Sequence, residues 1–290
     1  MLDKDKQVQK VAEGAIAVQA NHDINIGMQY RDVKDLVTLL LERNFPKLRE
    51  EAVAEARLYV DRFSEKLFEK ISKLEIDVEK ELRRPDIQAA INEGVEYSAK
   101  RTDNAELDTV SDLIANKLSS GKGSLKSIVI DQSIEMLSKL DLNLIRFFAF
   151  SYYVRRINPA REVDESYAVN VIYGSSLEDF FPLEDIEPVD LGYLQYLGAY
   201  LNGKRYGEST SVIICRSLTF DIPAGEYQKP FLQESVLLDK FPYICALLEK
   251  FGFSTVCDFD HVPLNKVCEY IGLSYLRGTW PHLIDPYGDF

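Results

Sequence analysis

Hydrophobic positions follow two different periods along this chain. Between residues 15 and 27, apolar residues alternate with small or polar ones, at Ile16, Val18, Ile24 and Ile26. This alternation is typical of β-strands that bury one face. Because residues 21–23 (Asn-His-Asp) interrupt it and tolerate turn conformations, the pattern predicts a short β-hairpin at the N-terminus.

A hairpin this short needs another surface to cover its apolar side, since two strands alone are only marginally stable. The next predicted helix starts within a few residues, with apolar positions at Val33, Leu36, Val37, Leu40 and Leu41. Little chain is left for the hairpin to fold back over a distant core. We therefore expect the hairpin to meet a neighbouring subunit, with packing on its own chain as the alternative.

From residue 30 onward, the apolar spacing of three and four residues predicts amphipathic helices. The second of these helices carries a heptad-like stripe of Val53, Ala56, Val60, Phe63, Leu67, Ile71 and Leu74. Such a stripe packs inside a helical bundle or forms a seam between subunits. The candidate assembly residues of a homo-oligomer are therefore Ile16, Val18, Ile24, Ile26, Val53, Val60, Phe63 and Leu67.

Local signals divide the following residues into further helices. Pro85 suits the first turn of a helix, and Asp103 with Glu106 has the form of a capping box at the start of another. Residues 142–154 are apolar around nearly the whole circumference, which predicts a helix at the centre of a bundle. Composition changes near residue 160, where we place a domain boundary.

The second half of the chain is less regular. The sequence predicts a helix capped by Asp190 and ended by Gly203, a strand over residues 211–220, and a helix over 235–250 that stops at Gly252. An extended piece over 254–259 and a last helix opened by Pro263 follow. By analogy, this alternation suggests a winged-helix-like module.

These patterns together predict a mainly α fold in three parts. Residues 1–29 form the β-hairpin extension, residues 30–160 the helical bundle, and residues 161–290 a smaller helical module with short β segments.

Composition narrows the function classes. The chain has 34 basic and 47 acidic residues and a formal net charge of −13, which argues against a protein that coats nucleic acid. We find neither a signal peptide nor an apolar run of the roughly 20 residues that a membrane span needs. The four cysteines lack paired spacing, so we expect reduced thiols and a cytoplasmic location: Cys215, Cys245, Cys257 and Cys268.

Two clusters carry candidate chemistry. A metal site is conceivable at Cys257, Asp258, Asp260 and His261, although structural zinc usually has two closely spaced ligand pairs and only Cys257 and His261 form one. We expect no cofactor. Three arginines near a helix end, Arg155, Arg156 and Arg161, complement the helix dipole or contact an anion, an acidic partner or nucleic acid. The glycines of residues 121–124 (Gly-Lys-Gly-Ser) lack the spacing of a phosphate-binding loop and indicate a linker.

Three segments carry a family resemblance: AIAVQANHDINIG, VKDLVTLLLERNFPKL and LRRPDIQAAINEGVEYSAKRTDNAELDTVSDLIANKL. They resemble a bacterial family of largely uncharacterised helical proteins and, more distantly, the abortive-infection alpha proteins found among phage-defence genes. The resemblance covers residues 15–160 and brings no catalytic residues.

This resemblance implies a cytoplasmic role in defence against phage or mobile elements. We therefore expect a non-enzymatic oligomeric sensor or interaction protein, with a protein partner in a defence system. The alternative is a metal-dependent hydrolase, with a nuclease among the candidates, that uses Asp258, Asp260 and His261.

Overall fold

The computed structural model describes residues 30–44, 50–101, 103–156, 176–200 and 241–280. In these ranges the chain is 76% helical and contains no β-strand. The first seven helices are α1 (Tyr30–Asn44), α2 (Glu50–Ile71), α3 (Val78–Leu82), α4 (Pro85–Ser98), α5 (Asn104–Ser119), α6 (Leu125–Leu137) and α7 (Leu142–Arg156). Further along come α8 (Ser176–Phe180), a 3₁₀-helix (Leu183–Asp185), α9 (Leu191–Tyr196), α10 (Pro242–Lys250), α11 (Val256–Asp260) and α12 (Lys266–Thr279).

Several helices begin where the sequence predicts. Pro85 lies in the first turn of α4, where its missing N–H costs no hydrogen bond. The Asp103 carboxylate accepts hydrogen bonds from the backbone N–H groups of Ala105 and Glu106 at 2.7 and 3.2 Å, which confirms the predicted cap of α5. The other half of the predicted capping box is wrong, because the Glu106 carboxylate accepts a hydrogen bond from the Tyr97 hydroxyl instead.

Helix α7 is buried along most of its length, as its all-round apolar sequence predicts. It packs against α12, which also contacts α5 and α6. The closest approach is at Gly272 of α12, where a Cβ atom would overlap the backbone of Phe148. The last described helix therefore lies in the same hydrophobic core as the bundle helices.

Aromatic side chains extend this core towards α10 and α11. Phe147 of α7 stacks on Phe253 with ring centroids 5.7 Å apart, and Phe150 stacks on Phe251 at 5.4 Å. Phe259 of α11 meets Phe147 edge to face at 6.3 Å. These contacts fix the turn between α10 and α11 on the surface of α7.

The predicted fold class, mainly α with a hairpin and short strands, is corrected to all-α in the described residues. Residues 254–259, predicted to be extended, contain the start of α11, because Thr255 and Asp258 form a reciprocal capping box. The only β feature in the described ranges is an isolated bridge between Tyr200 and Leu264, so the winged-helix-like reading fails there.

Other predicted features either lie outside the described residues or end at a different position. The hairpin of residues 1–29, the strand over 211–220 and the domain boundary near residue 160 lie outside the described residues. Helix α9 has the predicted Asp190 cap but ends well before Gly203, since Gly198 adopts a φ of 66° and the Ala199 N–H donates to the Leu194 carbonyl. Among the described helices, none is long and apolar enough to cross a membrane.

Candidate functional site

The predicted assembly stripe of α2 faces the core of its own chain. Val60, Phe63 and Leu67 are at most 2% exposed, and Val53 is partly buried. Helix α2 packs along α5, α1 and α4. The hairpin residues Ile16, Val18, Ile24 and Ile26 lie outside the described ranges. Assembly through these positions therefore stays a prediction, and three residues of the stripe already have partners in the bundle.

The arginines at the end of α7 bind acceptors within the chain. Arg155 lies 3.9 Å from the centre of the Phe259 ring and donates to the carbonyls of Phe259 and Val262 at 2.6 and 2.9 Å. Arg156 forms an ion pair with Glu269 at 2.7 Å. Arg161 lies outside the described residues. Arg155 thus anchors the C-terminal end of α11, and the anion contact stays a prediction.

The predicted metal residues lie on and just after α11. Asp258 accepts a hydrogen bond from the Thr255 N–H at 3.0 Å, so its carboxylate belongs to the helix cap. Cys257 is exposed, and Asp260 and His261 follow in the same turn. Across the ranges that the structure describes, no group of three or more His, Cys, Asp or Glu side chains could hold a metal ion. The hydrolase hypothesis has no geometric support there.

A charge network at the junction of α4, α5 and α6 was missed by sequence reasoning. Lys117 of α5 is fully buried, and its Nζ lies 2.5 Å from Asp131 Oδ1 of α6 and 3.6 Å from Asp86 Oδ2 of α4. The same Nζ donates to the Ser127 hydroxyl at 3.1 Å. Lys117 falls on the apolar stripe of α5, and this position is the signal that could have revealed a buried charge.

Arg84 extends this network at the start of α4. Its guanidinium pairs with Asp86 and Glu81 at 2.6 Å each and donates to the Ser120 carbonyl. The hydrogen bond from Arg84 holds the pKa of Asp86 below its usual value. These charges are satisfied by one another, and the Lys117 amine is closed to solvent. The network therefore ties three helix ends together and does not form an open site.

Further along, α10 and α11 form a concave site, the α10–α11 pocket, whose lining runs from Pro242 to Val256 with a cavity volume of about 620 Å³. Leu248, Phe253 and Val256 give it an apolar floor and are at most 7% exposed. Glu249 and Ser254 contribute polar lining. A volume of this size is typical of small-molecule sites.

Local sequence signals build the pocket. Gly252 ends α10 with a φ of 94°, a conformation that favours glycine. Its neighbour Phe253 donates its N–H to the Leu248 carbonyl at 2.9 Å, which closes the end of the helix. The predicted stop at Gly252 is confirmed. The Thr255 cap then starts α11 at once through hydrogen bonds between side chains and backbone N–H groups, so both walls of the pocket are fixed locally.

The cysteines beside the pocket differ in accessibility. Cys245 is partly buried and lines the cavity. Cys268 of α12 is buried against Met136, with the sulfur atoms 3.7 Å apart, and burial raises the pKa of its thiol. Cys268 is therefore a neutral core residue.

The described residues define an all-α protein with a concave site of mixed polarity between α10 and α11. A protein-family model described only as ":-like" matches residues 27–221, about two thirds of the chain. The chain belongs to this family, to which no function is attached. A search of curated proteins and a search of solved structures each found no match. The family match ends before the α10–α11 pocket.

Proposed function

We propose that this protein is a non-enzymatic sensor or interaction protein in bacterial defence against phage or mobile elements, and that it receives its ligand or partner in the α10–α11 pocket. The observation that carries the binding role is the pocket itself, a cavity of about 620 Å³ with an apolar floor and a polar rim. The defence role is supported by the resemblance of residues 15–160 to the abortive-infection alpha proteins. A cytoplasmic location, self-association and a protein partner belong to the same proposal.

Two of the reactive groups in the described residues are closed to substrate. The Lys117 amine is enclosed by Asp131 and Ser127, and the Cys268 thiol is buried. A nucleophile needs both access to substrate and activation by a neighbouring base. Because both groups are enclosed in the described structure, neither is accessible to a substrate.

A phage-challenge assay tests the proposal. The full chain is expressed from its own promoter region in a phage-sensitive bacterium, and plaques are counted for a panel of phages. We expect fewer plaques with the wild-type chain, and loss of this protection in Ala246→Trp, which fills the pocket. Ala89→Trp, on the exposed side of α4, is the matched control and should protect like the wild type.

Two results would overturn the proposal. Unchanged plaque counts across the panel would remove the defence role. Full protection by Ala246→Trp, at the same protein level, would separate the pocket from the function.

A further inference from the structure

We infer that the α10–α11 pocket binds an organic cation, namely an ammonium or guanidinium group carried on an apolar body. This inference rests on the proposed function, since it names the ligand chemistry of the same pocket.

The charge of the lining comes from one residue. Among the described residues that line the pocket, Glu249 is the only carboxylate, and none is basic. Glu249 lies in the last turn of α10, where the carbonyl groups of a helix concentrate partial negative charge. The Glu249 carboxylate therefore favours a cation, and Lys250 in the same turn is exposed and does not line the pocket.

Neighbouring elements add negative charge of their own. The Val189 N–H donates to the Phe251 carbonyl at 3.1 Å, which places the segment after the 3₁₀-helix beside the α10–α11 turn. The exposed Glu187 lies in that segment, and the exposed Glu184 lies in the 3₁₀-helix itself. Burial, followed by the charges of Glu178, Glu184 and Asp179, raises the pKa of Tyr243 on α10. The surface beside the first turn of α10, which contributes Pro242 to the pocket, is therefore acidic.

The floor of the pocket requires an apolar body on the ligand. Leu248, Phe253 and Val256 present aliphatic and aromatic surface, and burying such surface provides about 25 cal/mol per Å². A small hydrated cation such as an alkali metal ion would leave this surface uncovered. The combination of floor and rim therefore selects an amphipathic amine.

Three probes with the same phenyl body separate the contributions of charge and apolar surface. Phenylethylamine is cationic at neutral pH, phenylethanol is neutral, and phenylpropionate is anionic. In calorimetric titrations of the full chain at low ionic strength, we expect the amine to bind about fivefold more tightly than the alcohol, which corresponds to an exposed ion pair of about 1 kcal/mol. We expect the carboxylate to bind more weakly than the alcohol.

Two variants of the pocket and one control variant locate the effect. Glu249→Gln should remove the preference of amine over alcohol, while Glu55→Gln, an exposed carboxylate on α2, should keep it. Ala246→Trp should abolish binding of all three probes. Equal binding of the amine and the carboxylate to the wild type, or an unchanged preference in Glu249→Gln, would overturn the inference.

The failures of the two proposals are distinguishable. If the probes bind without charge preference and Ala246→Trp still blocks them, the pocket remains a binding site and only the cation is wrong. If Ala246→Trp leaves phage protection intact, the functional role of the pocket is wrong, whatever the titrations show.

Discussion

Two regions of the molecule each depend on a glycine but differ in the space beside it. One is the contact between α12 and α7, and the other is the α10–α11 pocket. At the first, Gly272 lets two helix backbones touch at Phe148, and no space remains for a single carbon atom. At the second, Gly252 ends a helix and leaves a cavity of about 620 Å³ in front of it. Gly272 therefore allows close packing of two helices, whereas Gly252 lies beside an open cavity.

The charged residues of the two regions differ in the same way. Lys117, in the last turn of α5, is bound by Asp131, Asp86 and Ser127 and is closed to solvent. Glu249 lines an open cavity. The comparison teaches that the residue types usually associated with chemistry are committed to structure in the bundle, whereas the pocket offers its polar groups to a ligand.

The largest expected effect comes from breaking the helix contact. Gly272→Ala should lower the free energy of unfolding by about 3 kcal/mol, because the added methyl group forces α12 away from the α7 backbone. Urea unfolding followed by circular dichroism measures this change. Gly121→Ala is the matched control, since a Cβ there has nothing within 4 Å, and should change stability by no more than about 0.5 kcal/mol. Equal effects of the two variants would contradict the packing account.

The second effect concerns the buried charge. Asp131→Asn should lower the free energy of unfolding by about 2 kcal/mol, because it leaves the enclosed Lys117 ammonium with a weaker partner. Lys117→Met should cost about 1 kcal/mol, since it removes the buried charge and leaves the half-exposed Asp131 to be hydrated. Urea unfolding of both variants gives the order. A larger loss of stability in Lys117→Met than in Asp131→Asn would show that desolvation of Lys117 does not dominate the network.

A third prediction uses the pH dependence of the bundle. Burial raises the pKa of Glu106 above its ordinary value of 4.5, with Arg101 and Tyr97 opposing the shift. The folded chain therefore binds more protons than the unfolded chain as pH rises from 4.5 through the folded pKa, and the contribution of Glu106 to stability is lost over that window. We expect the unfolding free energy of the wild type, relative to Glu106→Gln, to fall as pH rises. A difference that is constant with pH would contradict this.

The smallest expected effect lies in the pocket. Ala246→Trp should change the free energy of unfolding by no more than about 0.5 kcal/mol, because the new ring enters a cavity and displaces no packed side chain. Thermal unfolding of Ala246→Trp and of Gly272→Ala, measured side by side, compares the stability of the two variants directly. A loss of stability as large as that of Gly272→Ala would show that the pocket is part of the packed core.

Sequence patterns predict the local features well. The Asp103 and Asp190 caps and the stop at Gly252 depend on residues within one helical turn, and each is present. The error at residues 254–259 is also local, since Thr255 and Asp258 carry the spacing of a capping box that the apolar residues obscured.

Long-range features could not be predicted in the same way. Glu106 turns away from its own helix end because Tyr97 and Arg101 of the preceding segment bind its carboxylate. The partners of Lys117 come from two other helices, α4 and α6. Each of these depends on tertiary packing, which residue spacing alone does not encode.

Hydrogen–deuterium exchange of the full chain, with and without phenylethylamine, tests the division between bundle and pocket most directly. We predict that the amides of α5, α7 and α12 exchange slowly in both states, and that the amine slows exchange only between residues 242 and 256. Slower exchange confined to the bundle helices, with none at 242–256, would contradict the account.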